Sequence, residues 1–379
     1  MCQKQVRVEY LTDDEKKNTR SLWEEIFTED TREFLDYYYS EKTRENQVLA
    51  VKEGSRIISM LHLNPYRLQL SGKSMHSYYI VAVATRPEYR HQGYMGSLLL
   101  QALKQAEQEG CPFLFLMPAK EAIYQPFDFV TVYEQGNYIL EELKVEKISD
   151  NQQVLMEILA PPFPEHGEIL PLLPEIRQFY QNILSHRFDI YAMRDDGYLQ
   201  EILLEQQSQK GGMLLFRKKE SRELVGTCYY TREEELQLRE LLCYVPWEEA
   251  VLQKLYTSGF CQGQVKIYGA DFQKVIPKVH KKIPCIMVRL TNLSSLHGCL
   301  ALENVSEDNP FQEHNIKLVD RLLSNQQGIY HLFELKRGNK SSLGIQRVAE
   351  QDPYQETLDV EEFTKKYIKN QKIFLNEVV

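Results

Sequence analysis

The sequence predicts an α+β protein built from more than one domain. Residues 80–84 form a short apolar run typical of a strand, and after Gly93 apolar residues recur every three or four positions to Ala106, as on one face of a helix. Residues 113–117 form a second apolar run, typical of a strand buried on both faces. With 379 residues and 43% hydrophobic content, the chain is long enough for two or three domains.

Composition excludes several functional classes. The formal net charge of −9 argues against a general nucleic-acid binder. A net negative charge keeps a protein soluble, and it would also suit a small cationic substrate. Seven scattered cysteines without a C-x-x-C pair indicate a reducing compartment, and the nine histidines show no metal-ligand spacing, so no metal is expected. No signal core or membrane-length apolar run is present, so we expect a cytoplasmic protein with no membrane partner.

The first part of the chain is predicted to alternate strands and helices. A strand at residues 6–10 precedes the capping box Thr12–Glu15, which begins a helix to about Phe27, and a second helix follows at residues 31–39. Two hairpins and a last strand pair complete this part, and the predicted strands are 48–52, 57–63, 66–70, 75–84, 130–134 and 138–143.

The turn between the apolar run and the long helix has features of a phosphate site. Arg90 supplies a cation, Gly93 allows close approach to the backbone, and the helix start presents free N–H groups and the positive end of its dipole. The turn lacks the Gly-Lys-Ser/Thr of a P-loop and the first glycine of a dinucleotide fingerprint. By itself, R-x-x-G also fits an ordinary strand-to-helix turn with an exposed arginine.

Two stretches taken together resemble a known family. Residues 81–99 read V-A-V-x-x-x-P-x-x-R-x-x-G-Y-M-x-x-L-L, and residues 116–129 read L-M-P-A-K-E-A-I-Y-x-P-F-x-F. This pair resembles the GCN5-related N-acetyltransferases (GNAT), and within them the enhanced intracellular survival (Eis) branch. The resemblance covers about the first third of the chain strongly. It implies a bacterial-type acetyltransferase that uses acetyl-CoA as its co-substrate.

The resemblance also implies a domain plan. Residues 1–145 would be the catalytic GNAT domain, with a mixed, mostly antiparallel sheet and flanking helices. Residues 146–284 would be a degenerate GNAT-like domain, since no R-x-x-G follows the predicted strand at residues 236–243. Residues 285–379 would be a sterol carrier protein-like α+β domain, with strands at 299–305, 315–319 and 329–336 and a helix from Val360. A homo-oligomer, hexamer or dimer, is implied by the resemblance alone.

The implied cofactor site lies at the strand end and the turn. Backbone groups of the strand would pair with the pantetheine arm and polarise the thioester carbonyl, and N–H groups of the turn would bind the pyrophosphate. Met95 and Asp128 depart from residues common in the wider family, and Ala119 offers only backbone groups. The expected cofactor-binding residues are Val83, Ala84, Thr85, Arg90, His91, Gln92, Gly93, Tyr94, Met95, Gly96 and Ala119.

The resemblance implies direct attack of a primary amine, from a small molecule or a lysine, on the thioester. Tyr124 is the candidate general acid, because a phenol with a pKa near 10 suits a thiol leaving group with a pKa of about 8.5. The alternative is that Tyr124 packs in the hydrophobic core. Residues 77–85 contain no carboxylate base. In the Eis branch the carboxylate at the end of the chain reaches the active site and would be the base, and this position maps to Val379. The apolar residues at the chain end indicate that it packs against the protein. The alternatives are water and Glu377, which also fits an exposed side chain without a catalytic role.

The acceptor site is expected between the first helices. Phe27, Asp36 and Tyr37 would wall it, since an acid among aromatics suits an ammonium group. The same residues fit a solvated helix with aromatics in the core. Two other functions remain open: a non-catalytic sensor of an acyl-CoA or metabolite, and a lipid-carrier protein.

Overall fold

The structure is a computed structural model that describes residues 7–140, 153–164, 170–233, 235–273, 281–303, 305, 309–338 and 340–377. The predicted strand end at residues 141–143 and the predicted base at Val379 lie outside these residues.

The N-terminal region follows the predicted order of strands and helices, except that the last strand pair, predicted at residues 130–134 and 138–143, is one continuous strand over Val130–Ile139. The Thr12 N–H donates to Glu15 Oε2 over 3.0 Å, so the capping box begins the first helix as predicted. A short 3-10 segment separates α1 from α2. The elements are β1 (Val8–Tyr10), α1 (Asp13–Lys16), α2 (Arg20–Ile26), α3 (Arg32–Ser40), β2 (Gln47–Glu53), β3 (Arg56–Leu70), β4 (Lys73–Thr85), α4 (Tyr94–Gln108), β5 (Phe113–Leu116), α5 (Glu121–Tyr124) and β6 (Val130–Ile139).

Strand β3 is one long strand where the sequence predicted two. It runs through Pro65, which cannot donate a ladder hydrogen bond. On the side of β3 away from β4, β2 pairs only up to Leu63, and β8 (Ile190–Ala192) pairs only from Leu68. Pro65 therefore lies where that side of β3 has no neighbour, and the strand continues past it.

The middle region contains one strand and two helices that were not predicted. A strand lies at Val154–Leu159 and two helices follow, the second capped by the Asp195 side chain, which accepts from Tyr198 N–H. The strand predicted at residues 236–243 is confirmed over Gln237–Cys243. The elements are β7 (Val154–Leu159), α6 (Leu173–Arg187), β8 (Ile190–Ala192), α7 (Asp196–Ser208), β9 (Gly212–Lys218), β10 (Leu224–Thr231), β11 (Gln237–Cys243), α8 (Glu248–Thr257), β12 (Lys266–Tyr268) and β13 (Lys281–Leu290).

The C-terminal region forms a second, smaller sheet. The strand predicted at residues 299–305 is wrong for its described part, where Ala301 makes only an isolated bridge to Ser342. The other predicted strands are confirmed. The elements are β14 (His314–Val319), β15 (Gly328–Arg337), β16 (Lys340–Arg347), β17 (Glu356–Asp359), α9 (Val360–Phe363), which continues as a π-helical turn over Thr364–Ile368, and β18 (Ile373–Phe374).

The described strands form two sheets. The small sheet has the order β16-β15-β14-β17. The large sheet is 14-stranded among the described residues, with the order β1-β2-β3-β4-β5-β13-β6-β12-β11-β10-β9-β7, while β8 pairs with β3 and with β18. Strand β13 therefore lies between β5 and β6, and the predicted domain boundary between residues 284 and 285 falls inside it.

Strands β4 and β5 separate at one end. Their parallel pairing joins Tyr78–Ile80 to Leu114–Leu116 only, and Ala82, with a φ of 51°, forms a bulge that bends β4 away. The middle region repeats this arrangement. Strands β11 and β12 pair in parallel over three residues up to Arg239, and Glu240 follows with a φ of 53°. The two regions thus share one topology, and each opens its sheet at the same place.

Candidate active site

The turn that follows β4 presents a row of free backbone donors. Gly93 has a φ of 84° and ends the turn at the first residue of α4. Within the described part of the chain, the N–H groups of residues 91–96 donate no hydrogen bond, and the Arg90 side chain is anchored by its Nε, which donates to Thr85 O over 3.2 Å. This geometry suits an anion such as a pyrophosphate. The corresponding segment of the middle region, residues 244–247, is shorter and contains neither arginine nor glycine.

A cleft of about 460 Å³ extends from this turn along the freed end of β4. Ile26 and Ile123 form apolar walls opposite the strand. An open strand edge, apolar walls and a donor-rich turn together fit an extended thioester cofactor that ends in phosphates. Of the predicted cofactor residues, the cleft is lined by Val83, Ala84, Thr85, Arg90, His91, Gly93, Tyr94 and Met95.

Three predicted cofactor residues do not line this cleft. The Gln92 side chain turns back and donates to Glu88 O over 3.3 Å. Gly96 permits helix packing, because an added Cβ would lie 3.3 Å from the ring of Phe127. Ala119 lies in the loop after β5.

Tyr124 is the last residue of α5 and directly follows Ile123, which lines the cleft. Its side chain is 8% exposed and packs edge-on against Phe129, with ring centroids 5.9 Å apart. No hydrogen bond of its hydroxyl occurs among the described residues, and burial raises the pKa of Tyr124 to about 12. The phenol is therefore protonated at neutral pH and has its proton available for donation.

A second, polar cavity lies where the N-terminal region, the middle region and the chain end meet. Its volume is about 280 Å³, and Met117, the residue directly after β5, lines it together with Tyr66 of β3. The middle region contributes Glu205, Gln206 and Arg239, and the chain end contributes Glu377. Because Met117 marks the open end of the gap between β4 and β5, this polar cavity adjoins the gap from the side of β5.

Glu205 is a buried acid in this polar cavity. Its side chain is 2% exposed, and Oε1 has no hydrogen-bond partner among the described residues. Burial raises the pKa of Glu205 to about 7, although the charges of Lys42 and Arg239 oppose this. The neighbouring Gln206 Oε1 is likewise buried without a partner. Such unsatisfied acceptors are costly unless a ligand or water donates to them.

The chain end is held by a buried charge network. Arg194 Nη1 lies 3.0 Å from Glu377 Oε1, Arg194 Nη2 lies 3.0 Å from Glu240 Oε2, and the Tyr198 hydroxyl donates to Glu377 Oε2 over 2.7 Å. Strand β18 pairs with β8, so the described end is docked as the sequence indicated. The reading of Glu377 as an exposed side chain is wrong, because it is 3% exposed and both its oxygens are bound.

The predicted acceptor-wall residues lie outside the polar cavity. Phe27 packs on Trp23, with ring centroids 5.7 Å apart, and the exposed Asp36 pairs with Arg20 over 2.6 Å. The buried Tyr37 donates its hydroxyl to the Glu201 carbonyl of α7. None of these three lines the polar cavity. The charged residues that line this cavity are Glu205 of α7, Arg239 and Glu240 of β11, Lys42 after α3, and Glu377 at the chain end. A polar Glu205-Gln206 pair after two leucines was the only local signal for α7, which was not predicted.

Two further observations bear on the expectations from composition. Among the described residues, His76, Glu109 and Cys111 bring one ligand atom each within 4.8 Å of one another, at the far end of α4 from the turn. Glu109 already accepts from the Tyr78 hydroxyl over 2.7 Å. In the described part of the chain, every helix is too short or too polar to cross a membrane.

Comparison with known proteins identifies the fold. Residues 7–132 match the family model of the acetyltransferase (GNAT) domain. Among curated proteins, none matches the sequence significantly. A probable N-acyltransferase from Enterococcus faecalis is 16% identical with a TM-score of 0.73, covering 95% of this chain and 88% of that one. A GCN5-related N-acetyltransferase from Anabaena variabilis is 14% identical with a TM-score of 0.72, covering 98% of both chains. Eis1 from Mycobacterium abscessus is 10% identical with a TM-score of 0.63, covering 96% and 89%. At these identities the solved structures show a shared fold.

Proposed function

We propose that this chain, whose residues 7–132 match the GNAT domain model and whose fold is similar to that of Eis1, transfers an acetyl group from acetyl-CoA to a primary amine that enters through the polar cavity. The observation that carries this proposal is the gap between β4 and β5. On one side of the gap lies the cleft with its donor-rich turn, and Met117 at the end of β5 faces the polar cavity. An acetyl donor bound in the cleft and an amine bound in the polar cavity would meet at the gap.

The cleft supplies the donor site. Acetyl-CoA supplies the acetyl group as an activated thioester. The N–H groups of residues 91–96 and the Arg90 guanidinium would bind the pyrophosphate, and the free edge of β4 at Val83–Thr85 would align the pantetheine arm. A backbone N–H of β4 would also donate to the carbonyl oxygen as negative charge develops on it.

The proton chemistry is assigned to the two sides of the gap. The amine nitrogen forms a bond to the carbonyl carbon, the carbon–sulfur bond breaks, and Tyr124 donates its proton to the departing thiolate. The carboxylate at Val379 would first accept one proton from the substrate ammonium, so that the neutral amine attacks, and the second proton lost from nitrogen would restore the Tyr124 phenol through solvent. The docking of residues up to Glu377 beside the polar cavity supports this assignment. Glu377 itself is bound by Arg194 and Tyr198, which favours a positioning role for it.

A chain extended by three residues after Val379 should lose turnover while keeping its affinity for acetyl-CoA. Full turnover in the extended chain would exclude the carboxylate at Val379 as the base.

The remaining regions support a tandem arrangement. The middle region repeats the strand and helix order of the GNAT domain but lacks its R-x-x-G turn, so we assign it as a degenerate GNAT-like domain that holds no cofactor. The C-terminal sheet is assigned as a sterol carrier protein-like domain whose chain end reaches the polar cavity. A cytoplasmic homo-oligomer, a hexamer or a dimer, completes the proposal.

The test is a thiol-release assay with acetyl-CoA and a panel of small amines and lysine-containing peptides. Release of free thiol that depends on an amine, with an acetylated product of the expected mass, supports the proposal. Binding of acetyl-CoA without thiol release for any amine would favour the non-catalytic sensor. Lipid that copurifies with the protein in stoichiometric amount would favour the lipid carrier.

A further inference from the structure

Resting on the proposed acetyltransferase function, we infer that the acceptor is a zwitterion, a small molecule that carries a carboxylate or similar anion beside its amine, and that binds in the polar cavity between Glu205 and Arg239. Glu205 and Arg239 line one space of about 280 Å³. Neither makes a direct bond to a group of opposite charge among the described residues.

Arg239 differs from the other deeply placed arginines of the described chain. Arg194, Arg217 and Arg289 each have a carboxylate oxygen within 3.0 Å, as expected for a cation removed from water. Arg239 is partly buried in the wall of the polar cavity, yet no carboxylate of the described residues lies within 4.0 Å of it. Its guanidinium makes one hydrogen bond, from Nη2 to Gln237 Oε1 over 3.3 Å. The remaining N–H donors are available for an anionic group, which a guanidinium binds in bidentate fashion.

Glu205 and Gln206 offer the opposite chemistry. Both side chains are nine-tenths or more buried, and each has a side-chain oxygen, Oε1, without a donor among the described residues. An ammonium group carries three donors and no acceptor, so it satisfies both oxygens at once. A ligand that places its amine at Glu205 and its anion at Arg239 would neutralise both unpaired charges. A simple diamine would leave Arg239 unpaired.

The size of the polar cavity restricts the ligand further. Sites for drug-sized ligands have volumes of about 300–1,000 Å³. At about 280 Å³, this space fits a single amino acid or one modified sugar ring better than an oligosaccharide. The ligand class is therefore a small amine that also bears an acid.

The experiment uses matched pairs that differ by the acid group: lysine and 1,5-diaminopentane, ornithine and 1,4-diaminobutane, glucosaminic acid and glucosamine. For each pair, kcat/KM is measured by thiol release and affinity by calorimetry. We expect the zwitterion of at least one pair to exceed its partner by tenfold or more. Arg239→Gln should lower that ratio below about twofold, and Arg239→Lys should retain part of it. The control is Arg232→Gln, which removes an exposed guanidinium stacked on Phe260, outside the polar cavity.

The outcomes separate this inference from the function on which it rests. Turnover that favours the partners without the acid group, with the ratio unchanged in Arg239→Gln, overturns the zwitterion and leaves the acetyltransferase intact. Zwitterion binding that Arg239→Gln abolishes, without turnover for any amine, keeps the ligand class and overturns the acetyltransferase. The absence of both turnover and binding across all pairs overturns both.

Discussion

Arg194 and Glu377 form a buried ion pair that fixes the chain end to the middle region. The two charged atoms lie 3.0 Å apart, and the side chains are 1% and 2% exposed. Arg194 also pairs with Glu240, which has a positive φ at the bulge of β11. One guanidinium thus balances two buried carboxylates, one on a bent strand and one on the docked tail.

Replacing Arg194 by methionine should strongly destabilise the protein. The change leaves Glu240 and Glu377 buried without their cation, and breaking a buried pair in this way costs about 3–5 kcal/mol. Denaturant unfolding of the purified protein measures the loss. The control is Arg177→Met, because Arg177 pairs with Asp196 at a half-exposed site, where the loss should stay below about 1 kcal/mol. Equal losses in the two variants would contradict the role assigned to Arg194.

Replacing Gly93 by alanine should weaken acetyl-CoA binding. Gly93 has a φ of 84°, in the left-handed region, where a residue with a Cβ is strained by about 1–2 kcal/mol. No atom lies within 4 Å of an added Cβ, so the methyl group fits. It would, however, stand between a phosphate and the free N–H groups of the turn. We expect KM for acetyl-CoA to rise tenfold or more, with a smaller change in kcat.

Gly72 provides the matched control for that change. It has a φ of 87° and equally open surroundings, but it lies in the hairpin turn between β3 and β4. Gly72→Ala should carry the same strain and leave KM for acetyl-CoA near the parent value. If both variants alter KM alike, the turn at Gly93 does not bind the cofactor.

Replacing Tyr124 by phenylalanine should lower kcat by about 10²-fold or more, the usual contribution of a positioned acid. Since the pKa of Tyr124 is raised to about 12, its deprotonation should cause no fall in kcat below about pH 11. The change leaves the contact with Phe129 in place, so the thermal midpoint should hardly move. Tyr256→Phe, at an exposed site on α8, is the control. Unaltered kcat in Tyr124→Phe would exclude it as the acid.

Replacing Glu205 by glutamine should change how stability depends on pH. The folded protein holds the Glu205 proton up to about pH 7, whereas an unfolded glutamate releases it near its ordinary pKa of 4.5. The folded state therefore binds more protons between these values, and this group's contribution to the free energy of unfolding falls as pH rises through that window. The loss amounts to about 3 kcal/mol by pH 8.

We therefore expect Glu205→Gln to gain stability relative to the parent protein between pH 5 and pH 8. The charges that act on Glu205 are those of Lys42, Arg239, Glu201 and Glu377, and they are unchanged in the variant. Denaturant unfolding at a series of pH values measures the difference, with the exposed Glu220→Gln as control. A stability difference that is constant with pH would show that Glu205 does not titrate in this window.

Local signals allowed the turn that lines the cleft proposed for acetyl-CoA to be predicted. These signals are a change of apolar period, a glycine and a proline, and they lie within about twenty residues of one another. For this reason α4, its turn and the following β5 are where the sequence predicted them. The polar cavity proposed for the amine could not be predicted from local patterns. Tyr66, Glu205, Arg239 and Glu377 meet only because strands far apart in sequence pair in one sheet, and no local pattern specifies that pairing.

Strand β13 has a consequence for the order in which the protein can form. Its residues 281–290 lie between β5 and β6, hydrogen-bonded to both. A ribosome that has synthesised only the first 145 residues has not yet made the strand that fills this position. The N-terminal region therefore cannot complete its sheet until most of the chain has emerged, unlike domains that fold one by one from the N-terminus. Fragments that end before residue 290 should then expose the edges of β5 and β6, two strands open to pairing with other chains.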